Sequence, residues 1–380
     1  MVDEGQSVDV VYLDFAKAFD KVPIGRLVEK CRALGIDNRV LAWIQEWLRG
    51  RKQRVSIAGQ HSTWLPVTSG VPQGSVLGPL LFVLYINDID EVLDLANTFV
   101  WKFADDTKAS QVVENEEDRN KFQEQLDNLW EWSERWLMKF NVAKCHVLHL
   151  GHKNPRYEYT MGGQSLGETS CEKDVGVYIT DTLKPTTHCS QAAKMGNRAL
   201  GQLARGVSYR DKHNFVSLYK TFVRSLMEPN VQAWRPWTAA DKEVLEAVQK
   251  RMIRMVTNFE SKDYLSKLRE CGLMTLEERR ERGDLIMCHK MLNDLVDVDY
   301  EEWFEMAADQ DHGYGTRLVT GFQNLKPKHG RLAIRSNFFS CRTPPLWNQL
   351  PEDVKAAPST ASFKARYDEW KFGFENKDLL

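Results

Sequence analysis

Two adjacent carboxylates, Asp105 and Asp106, lie between Thr98-Phe99-Val100-Trp101 and Lys108-Ala109-Ser110-Gln111-Val112-Val113. Both flanks are rich in aromatic and β-branched residues and the polar residues gather between them, which predicts a hairpin with the aspartates near its tip. Two repelling charges held that close call for a cation. A hard ion such as Mg²⁺ suits them, because it prefers oxygen ligands and keeps room for water and phosphate, the arrangement used in phosphoryl transfer. An Asp-Asp pair is also an ordinary turn that bonds its own backbone, so the metal reading needs a third carboxylate. Asp14 can supply it. It follows the β-rich run Val8-Asp9-Val10-Val11-Tyr12-Leu13, which reads as a central strand, and chemistry in mixed sheets collects at strand carboxyl ends.

A second candidate is Ser69-Gly70-Val71-Pro72-Gln73-Gly74-Ser75, a small-residue loop that enters an apolar helix over Val76 to Ile86 with Ser75 as N-cap and Pro79 in the first turn. Such a loop lets backbone approach a ligand and aims the positive helix end at it, although a tight turn feeding a buried core helix has the same composition. Upstream, Gln53 to Ile57 and Ser62 to Val67 read as a hairpin joined through Ala58-Gly59-Gln60. The cluster Arg51-Lys52-Gln53-Arg54 at its start is either a solvated edge or a phosphate contact.

The elements that must position these residues follow from periodicity. Helices are predicted from Pro23 to Leu34 and from Asn38 to Leu48. A long amphipathic helix opens in the acidic run Glu114 to Asp118 and carries Phe122, Leu126, Leu129 and Trp132 or Ser133 on its core face. Phe140 to Leu150 reads as loop and strand, and Asp174 to Ile179 as one further strand. From about Pro185 the pattern is helical: His188 to Val207, Lys212 to Leu226, Asp241 to Thr257, Lys262 to Cys271 and Thr275 to Asn293. The run Glu277-Glu278-Arg279-Arg280-Glu281-Arg282 reads as an exposed, internally paired helix face. Beyond about Asp311, Arg317, Arg331, Arg335 and Arg342 stand among aromatics, a pattern that either stacks on single-stranded nucleic acid or packs a small module.

The 380 residues, 42% hydrophobic and 11% aromatic, are enough for two or three cored domains and exclude a disordered chain. A net charge of −2 leaves any polynucleotide contact to local basic patches. Seven cysteines without a C-x-x-C pair suit reduced thiols in an intracellular protein, and His188-Cys189 and Cys288-His289 lack companion ligands at zinc spacing. The acidic start is unlike a secretory leader, and the longest apolar run falls short of the ~20 residues of a membrane span, so no membrane partner is expected.

Taken together, Val11-Tyr12-Leu13-Asp14-Phe15-Ala16-Lys17-Ala18-Phe19-Asp20, the 69 to 79 loop and Phe103-Ala104-Asp105-Asp106 resemble the palm motifs of reverse transcriptases from LINE-type, non-LTR retrotransposons. Trp64 to Thr68, Tyr85-Ile86-Asn87-Asp88, Trp132 to Trp136, Phe140 to Cys145 and Glu172 to Val177 follow the same family's pattern. Three motifs in fixed order are far more specific than any one alone. The resemblance implies an α+β fold: a polymerase palm over 1–183, with an antiparallel sheet and packed helices, then an all-helical thumb over 184–300 and a C-terminal tail module over 301–380. It implies an RNA-directed DNA polymerase working on an RNA template, a DNA primer and dNTPs. Two Mg²⁺ ions ~3.5–4 Å apart, for which Mn²⁺ could stand in, would be held by Asp14 and Asp105 with Asp106 as a weaker partner. Phe19 matches a bulky residue that excludes a ribose 2′-hydroxyl, with a core aromatic as its other reading. Lys144 matches a lysine that protonates leaving pyrophosphate, with a surface lysine as its other reading. Gln73, Gly74, Phe103 and Ala104 would position nucleotide and template, and Val175-Gly176-Val177 would form a primer grip.

Family members carry a fingers region, and usually an endonuclease, before the first motif, whereas thirteen residues precede Asp14. The missing basic contacts to triphosphate and template lead us to expect weak or no extension by this chain alone. A non-catalytic retroelement remnant that binds RNA or protein is the alternative. A nuclear location is expected only within an active element's particle.

Overall fold

Val8–Leu13 (β1) is buried along nearly its whole length, as its run of apolar residues requires of a strand covered on both faces. It lies at the centre of a five-stranded sheet formed with Thr98–Phe103 (β2), Asp106–Val112 (β3), His146–Leu150 (β4) and Gly167–Thr169 (β5), in the order β5-β4-β1-β3-β2. β1 is antiparallel to β3 and β4, β2 to β3, and β5 runs parallel to β4. The computed structural model describes residues 1–307 and 324–373.

The helices of this unit present the stripes the sequence predicts. They are Ile24–Ala33 (α1), Asn38–Leu48 (α2), Leu77–Ile86 (α3) and Glu116–Trp136 (α4). Asn115 caps α4 by accepting from Asp118 N at 3.0 Å, and three acidic residues in its first turn favour the positive helix end. Phe122, Leu126, Leu129 and Trp132 of α4 join Leu27, Phe82 and Tyr85 in one core. The ammonium of Lys30 is buried there, 2.6 Å from the carbonyl of Tyr85 and 2.5 Å from Asp88, with the Trp136 ring centroid 3.9 Å away. Burial lowers its pKa, and the Asp88 carboxylate opposes that shift.

The chain divides into two compact units, Met1–Val175 and Gly176–Leu380. The second holds a short strand, Val177–Thr180, followed by helices Thr186–Gly206 (α5), Asn214–Phe222 (α6), Ala239–Met255 (α7), Tyr264–Glu270 (α8), Leu276–Leu292 (α9), Phe339–Asn348 (α10) and Thr360–Phe372 (α11). Leu200, Phe215, Tyr219, Leu245 and Met252 form one buried cluster, and Leu285, Phe304, Trp347, Phe363 and Tyr367 another. No helix among the described residues is long and apolar enough to cross a membrane.

Three expectations are corrected. The run 76–86 is not a fully buried helix: Leu81, Phe82 and Tyr85 face the core while Val76, Leu80 and Val83 are exposed, because a helix apolar all round still has only one neighbour-facing side. The predicted strand Asp174 to Ile179 is broken. Cys171–Asp174 (β6) ends where Val175 (φ 43°) and Gly176 (φ 85°) turn the chain before Val177. The 277–282 run is not a self-paired surface: Arg280 is buried, Arg279 pairs with Glu228 (2.8 Å) and Arg282 with Asp368 (2.6 Å). Of the two readings of the tail arginines, Arg342 takes the packing one, since it binds the buried Asp284 through two nitrogens (2.9 and 3.0 Å). Arg335 lies over the Phe338 ring, and Arg317 falls outside the described residues.

Candidate active site

Register brings two distant carboxylates together. Leu13 of β1 faces Thr107 of β3, so the next step along the antiparallel pair sets Asp14 beside Asp106. Phe103 pairs with Asp106 and leaves Ala104-Asp105 as a two-residue turn, with Ala104 in the left-handed region (φ 53°) that a non-glycine residue adopts at a cost. The predicted hairpin is therefore present, with Asp105 in the turn and Asp106 opening the return strand.

Segment 139–145 holds Asp14 in place. Asn141 N donates to the Asp14 carbonyl (2.7 Å), Ala16 N donates to the Lys139 carbonyl (2.8 Å), and Asp14 N donates to the sulfur of Cys145 (3.4 Å). Phe15 stacks on Phe140 with centroids 4.6 Å apart. Burial pushes the Cys145 thiol up to about 11, so this sulfur stays a neutral thiol. Lys144 reaches Asp14 Oδ2 at 3.6 Å with both side chains exposed, an ion pair that solvent screens.

Asp14 and Asp106 open onto a pocket of about 230 Å³. Tyr12, Trp101, Phe103, Lys108, Lys144, Glu172, Asp174 and Val175 form much of the remaining wall. Asp105 stands at the hairpin tip, outside that wall. Lys108 is paired with Asp174 and also lies 5.5 Å from the Trp101 centroid. Asp106 holds its proton more tightly than an ordinary aspartate, first through burial and then through the charges of Asp105, Asp174 and Asp14. Burial, with Asp174 and Glu172 behind it, raises the Tyr12 hydroxyl. Four lysines, Lys102, Lys108, Lys144 and Lys173, line the pocket with four carboxylates, Asp14, Asp106, Glu172 and Asp174, and carboxylate oxygens gathered in this way are the kind of donor a hard divalent cation prefers. Among the described residues, no three His, Cys, Asp or Glu side chains are gathered closely enough to hold such an ion as they stand.

The 69–79 loop docks on the segment after Asp14. Gly70 N and Val71 N donate to the carbonyls of Val22 and Phe19, both at 2.8 Å, and the Ser69 hydroxyl donates to the Asp20 carbonyl at 2.8 Å. Gly70 has φ 84°, and a Cβ there would sit 2.6 Å from the Asp20 carbonyl oxygen. Gly78 lies equally close to the loop, since its Cβ would meet the Pro72 oxygen at 2.4 Å. Ser75 Oγ accepts from Gly78 N (2.9 Å), but the N-cap position of α3 is Val76, one residue later than the expected Ser75. Gln73 donates to the Asp20 carboxylate (3.1 Å), and the exposed Gly74 has φ 79°. Phe19 is partly buried and stacks on Phe82 (4.5 Å, 18°). Phe19, Gln73 and Gly74 do not line the pocket that holds Asp14 and Asp106.

Sequence reasoning missed Lys108, Glu172 and Asp174 as pocket walls and Cys145 as a support for Asp14. The period-two alternation from Asp106 to Lys108 carried a signal for the first. Nothing local carried one for the carboxylates of β6, which enter through tertiary structure.

Residues 2–184 match the family described as reverse transcriptase (RNA-dependent DNA polymerase). The RNA-directed DNA polymerase from mobile element jockey of Drosophila funebris is 27% identical over 259 residues, covering 65% of this chain and 28% of that protein. The probable RNA-directed DNA polymerase from transposon BS of Drosophila melanogaster is 25% identical over 296 residues, covering 74% of this chain and 32% of that protein. The chain thus spans about three tenths of the length of these relatives. Among solved structures, telomerase from Candida tropicalis in complex with a fragment of telomeric RNA aligns with a TM-score of 0.37 and 13% identity over 78% of this chain and 48% of that one, too loose a likeness to place any residue. Residues 2–184 thus match the reverse transcriptase family, and the chain is similar over two thirds to three quarters of its length to RNA-directed DNA polymerases of the mobile elements jockey and BS.

Proposed function

We propose that this domain is an RNA-directed DNA polymerase that adds deoxynucleotides to a DNA primer along an RNA template. The observation that carries the reading is the meeting of Asp14 and Asp106, 92 residues apart in sequence, at one pocket where the charges of Asp14, Asp105 and Asp174 help to raise Asp106. In the reaction the primer 3′-hydroxyl oxygen forms a bond to the α-phosphorus of a dNTP, the bond to the β-phosphate oxygen breaks, and pyrophosphate leaves as the hydroxyl proton is lost. Asp14 and Asp105, with Asp106 as a weaker partner, would hold two Mg²⁺ or Mn²⁺ ions. Bound there, such ions stabilise the attacking and leaving oxygens.

The chain's own groups supply orientation. The 139–145 segment fixes Asp14, and the exposed Lys144, 3.6 Å from Asp14, delivers a proton to leaving pyrophosphate. Phe103 and Ala104 place the hairpin against template and primer, Gln73 and Gly74 contact the new base pair, and Val175-Gly176-Val177 grips the primer end. Phe19, supported by Phe82, selects deoxyribose, which an increase of ribonucleotide incorporation in Phe19→Val would show.

The test is Mg²⁺-dependent incorporation by the 380-residue chain on a primed RNA template, expected to be weak in this chain alone and so read with the chain in excess over the primed template. Loss of incorporation in both Asp14→Asn and Asp105→Asn is expected, and persistence in either would sink the assignment. Salt-dependent RNA binding with no incorporation under Mg²⁺ or Mn²⁺ would support the non-catalytic reading instead.

A further inference from the structure

Helix α2 carries two apolar stripes. Leu41, Ile44 and Leu48 are buried in the core beneath it. Val40, Trp43 and Trp47 each stand one residue earlier, so they repeat the same three-four spacing on the adjoining face. That second stripe is not covered: Val40 is 47% exposed, Trp43 is 55% exposed, and Trp47 is only partly buried. The two indoles lie nearly parallel (5°) with centroids 6.0 Å apart, which makes one flat apolar surface of them. Lone exposed apolar residues are ordinary on any protein, but three at the spacing of a helix seam form a patch suited to a partner.

Two charges mark what fits there. Arg39 and Glu46 flank the stripe on one side, two turns apart. Among the described residues Arg39 has no carboxylate partner, and Glu46 has only Arg49, at 3.6 Å with both side chains open to solvent. A second copy of α2 can be laid antiparallel on the first, with each Val40 over the other helix's Trp43. In that register each Arg39 falls opposite the other helix's Glu46 along one rim. One register therefore satisfies the apolar and the charged residues together. A parallel pair would turn Arg39 toward the side of the buried Ile44 and leave both charges unmet. By contrast, the exposed Val76, Leu80 and Val83 have no charged residue between 76 and 86 to select an occupant.

We propose that the outer face of α2 is a self-association surface, on which a second copy of this chain docks its own α2 antiparallel about a two-fold axis. Val40 and Trp43 of the two copies interlock at the centre, and two Arg39–Glu46 ion pairs close the rim. The two-fold makes every contact occur twice, so one short stripe supplies both itself and its complement. A nucleic-acid strand stacked on the indoles would meet the carboxylate of Glu46 beside them. A surface one helix of 11 residues long is smaller than the ~800 Å² per partner of a standard interface, so the pair is weak and reversible.

The test is sedimentation velocity of the full chain from about 1 to 100 μM, where a monomer–dimer equilibrium with its midpoint inside that range is expected. Trp43→Ala should leave the chain monomeric throughout. Arg39→Glu and Glu46→Arg should each weaken the dimer about tenfold, because the two-fold turns one substitution into two like-charge contacts. The double variant Arg39→Glu/Glu46→Arg makes every pair opposite in charge again and should restore it. Should Trp43→Ala unfold in urea earlier than the unsubstituted chain, the charge exchange decides alone, since both its side chains are exposed. A chain still monomeric at the highest concentration, single reversals without effect, or a double variant as weak as the singles would each overturn the proposal. So would a single-stranded RNA 15-mer that dissolves the dimer and binds Trp43→Ala about tenfold more weakly, since the face would then belong to nucleic acid.

Discussion

The carboxylates of the strand pocket and those of the helical unit live under opposite electrostatic regimes. Asp284 is fully buried, yet Arg235 (2.8 Å) and Arg342 (2.9 and 3.0 Å) saturate it, and Asp368 takes both nitrogens of Arg282 at 2.6 Å. Asp14 has one screened lysine at 3.6 Å, and Asp106 is pressed by three other carboxylates. A buried charge that serves the fold must be paired, because the solvation it gave up has to be replaced by fixed partners. At the strand pocket Asp174 has Lys108 and Asp14 has the exposed Lys144, while Asp106 has the charges of Asp105, Asp174 and Asp14 against it. The same residue type is therefore held by fixed arginines in one unit and crowded by its own kind in the other.

The sharpest way to break this contrast is exchange of charge for amide. Asp14→Asn should lower incorporation by at least ~10²-fold with an unfolding midpoint at or above that of the unsubstituted chain. If it unfolds the chain instead, Asp14 is as structural as Asp284. Next in size, Arg342→Met strands Asp284 without its bidentate partner, and urea unfolding should show a loss of about 3–5 kcal/mol. An unchanged midpoint would mean that Arg235 alone suffices. Smaller still, Gly70→Ala forces a Cβ against the Asp20 backbone at positive φ, and ~1–3 kcal/mol of strain should appear as a lower midpoint together with weaker incorporation.

The smallest effects are the pH slopes, which should run in opposite directions. Lys212 and then Ser261 hold Glu270 down to about 2, below its ordinary 4.5. A depressed acid stabilises the fold above its unfolded value and loses that contribution as pH falls, here between about 4.5 and 2. Lys212→Met should flatten that loss in acid unfolding curves. Asp106 is raised, so its charge costs stability at neutral pH and the cost lifts as pH falls through the raised value. In EDTA, Asp106→Asn should stabilise the chain at pH 7, and the gain should shrink on acidification. A gain that grows on acidification would contradict the crowding of carboxylates at this site.

Much of this contrast was legible before folding. Aromatic and β-branched runs placed the Asp105-Asp106 hairpin and the strand ending at Asp14, and the acidic run Glu114 to Asp118 with its apolar spacing placed α4, because these depend on residues within a few positions of each other. The arginine run 279–282 misled because helix charge patterns are locally the same whether the partner is the next turn or a distant Glu228 or Asp368. The unbroken strand over 174–179 failed because one positive-φ valine beside a glycine outweighed a β-rich composition.

The sequence by itself determined which side chains could do chemistry and the order of the elements that carry them, since periodicity, caps and turns are short-range properties. Tertiary structure alone decided which carboxylates share a pocket and which are neutralised. The β1–β3 register delivered Asp106 to Asp14, β6 brought Glu172 and Asp174 to the same wall, and Arg235 and Arg342 closed around Asp284. Electrostatic energy depends on distance in space and on the solvent removed, and neither is written in the spacing along a chain.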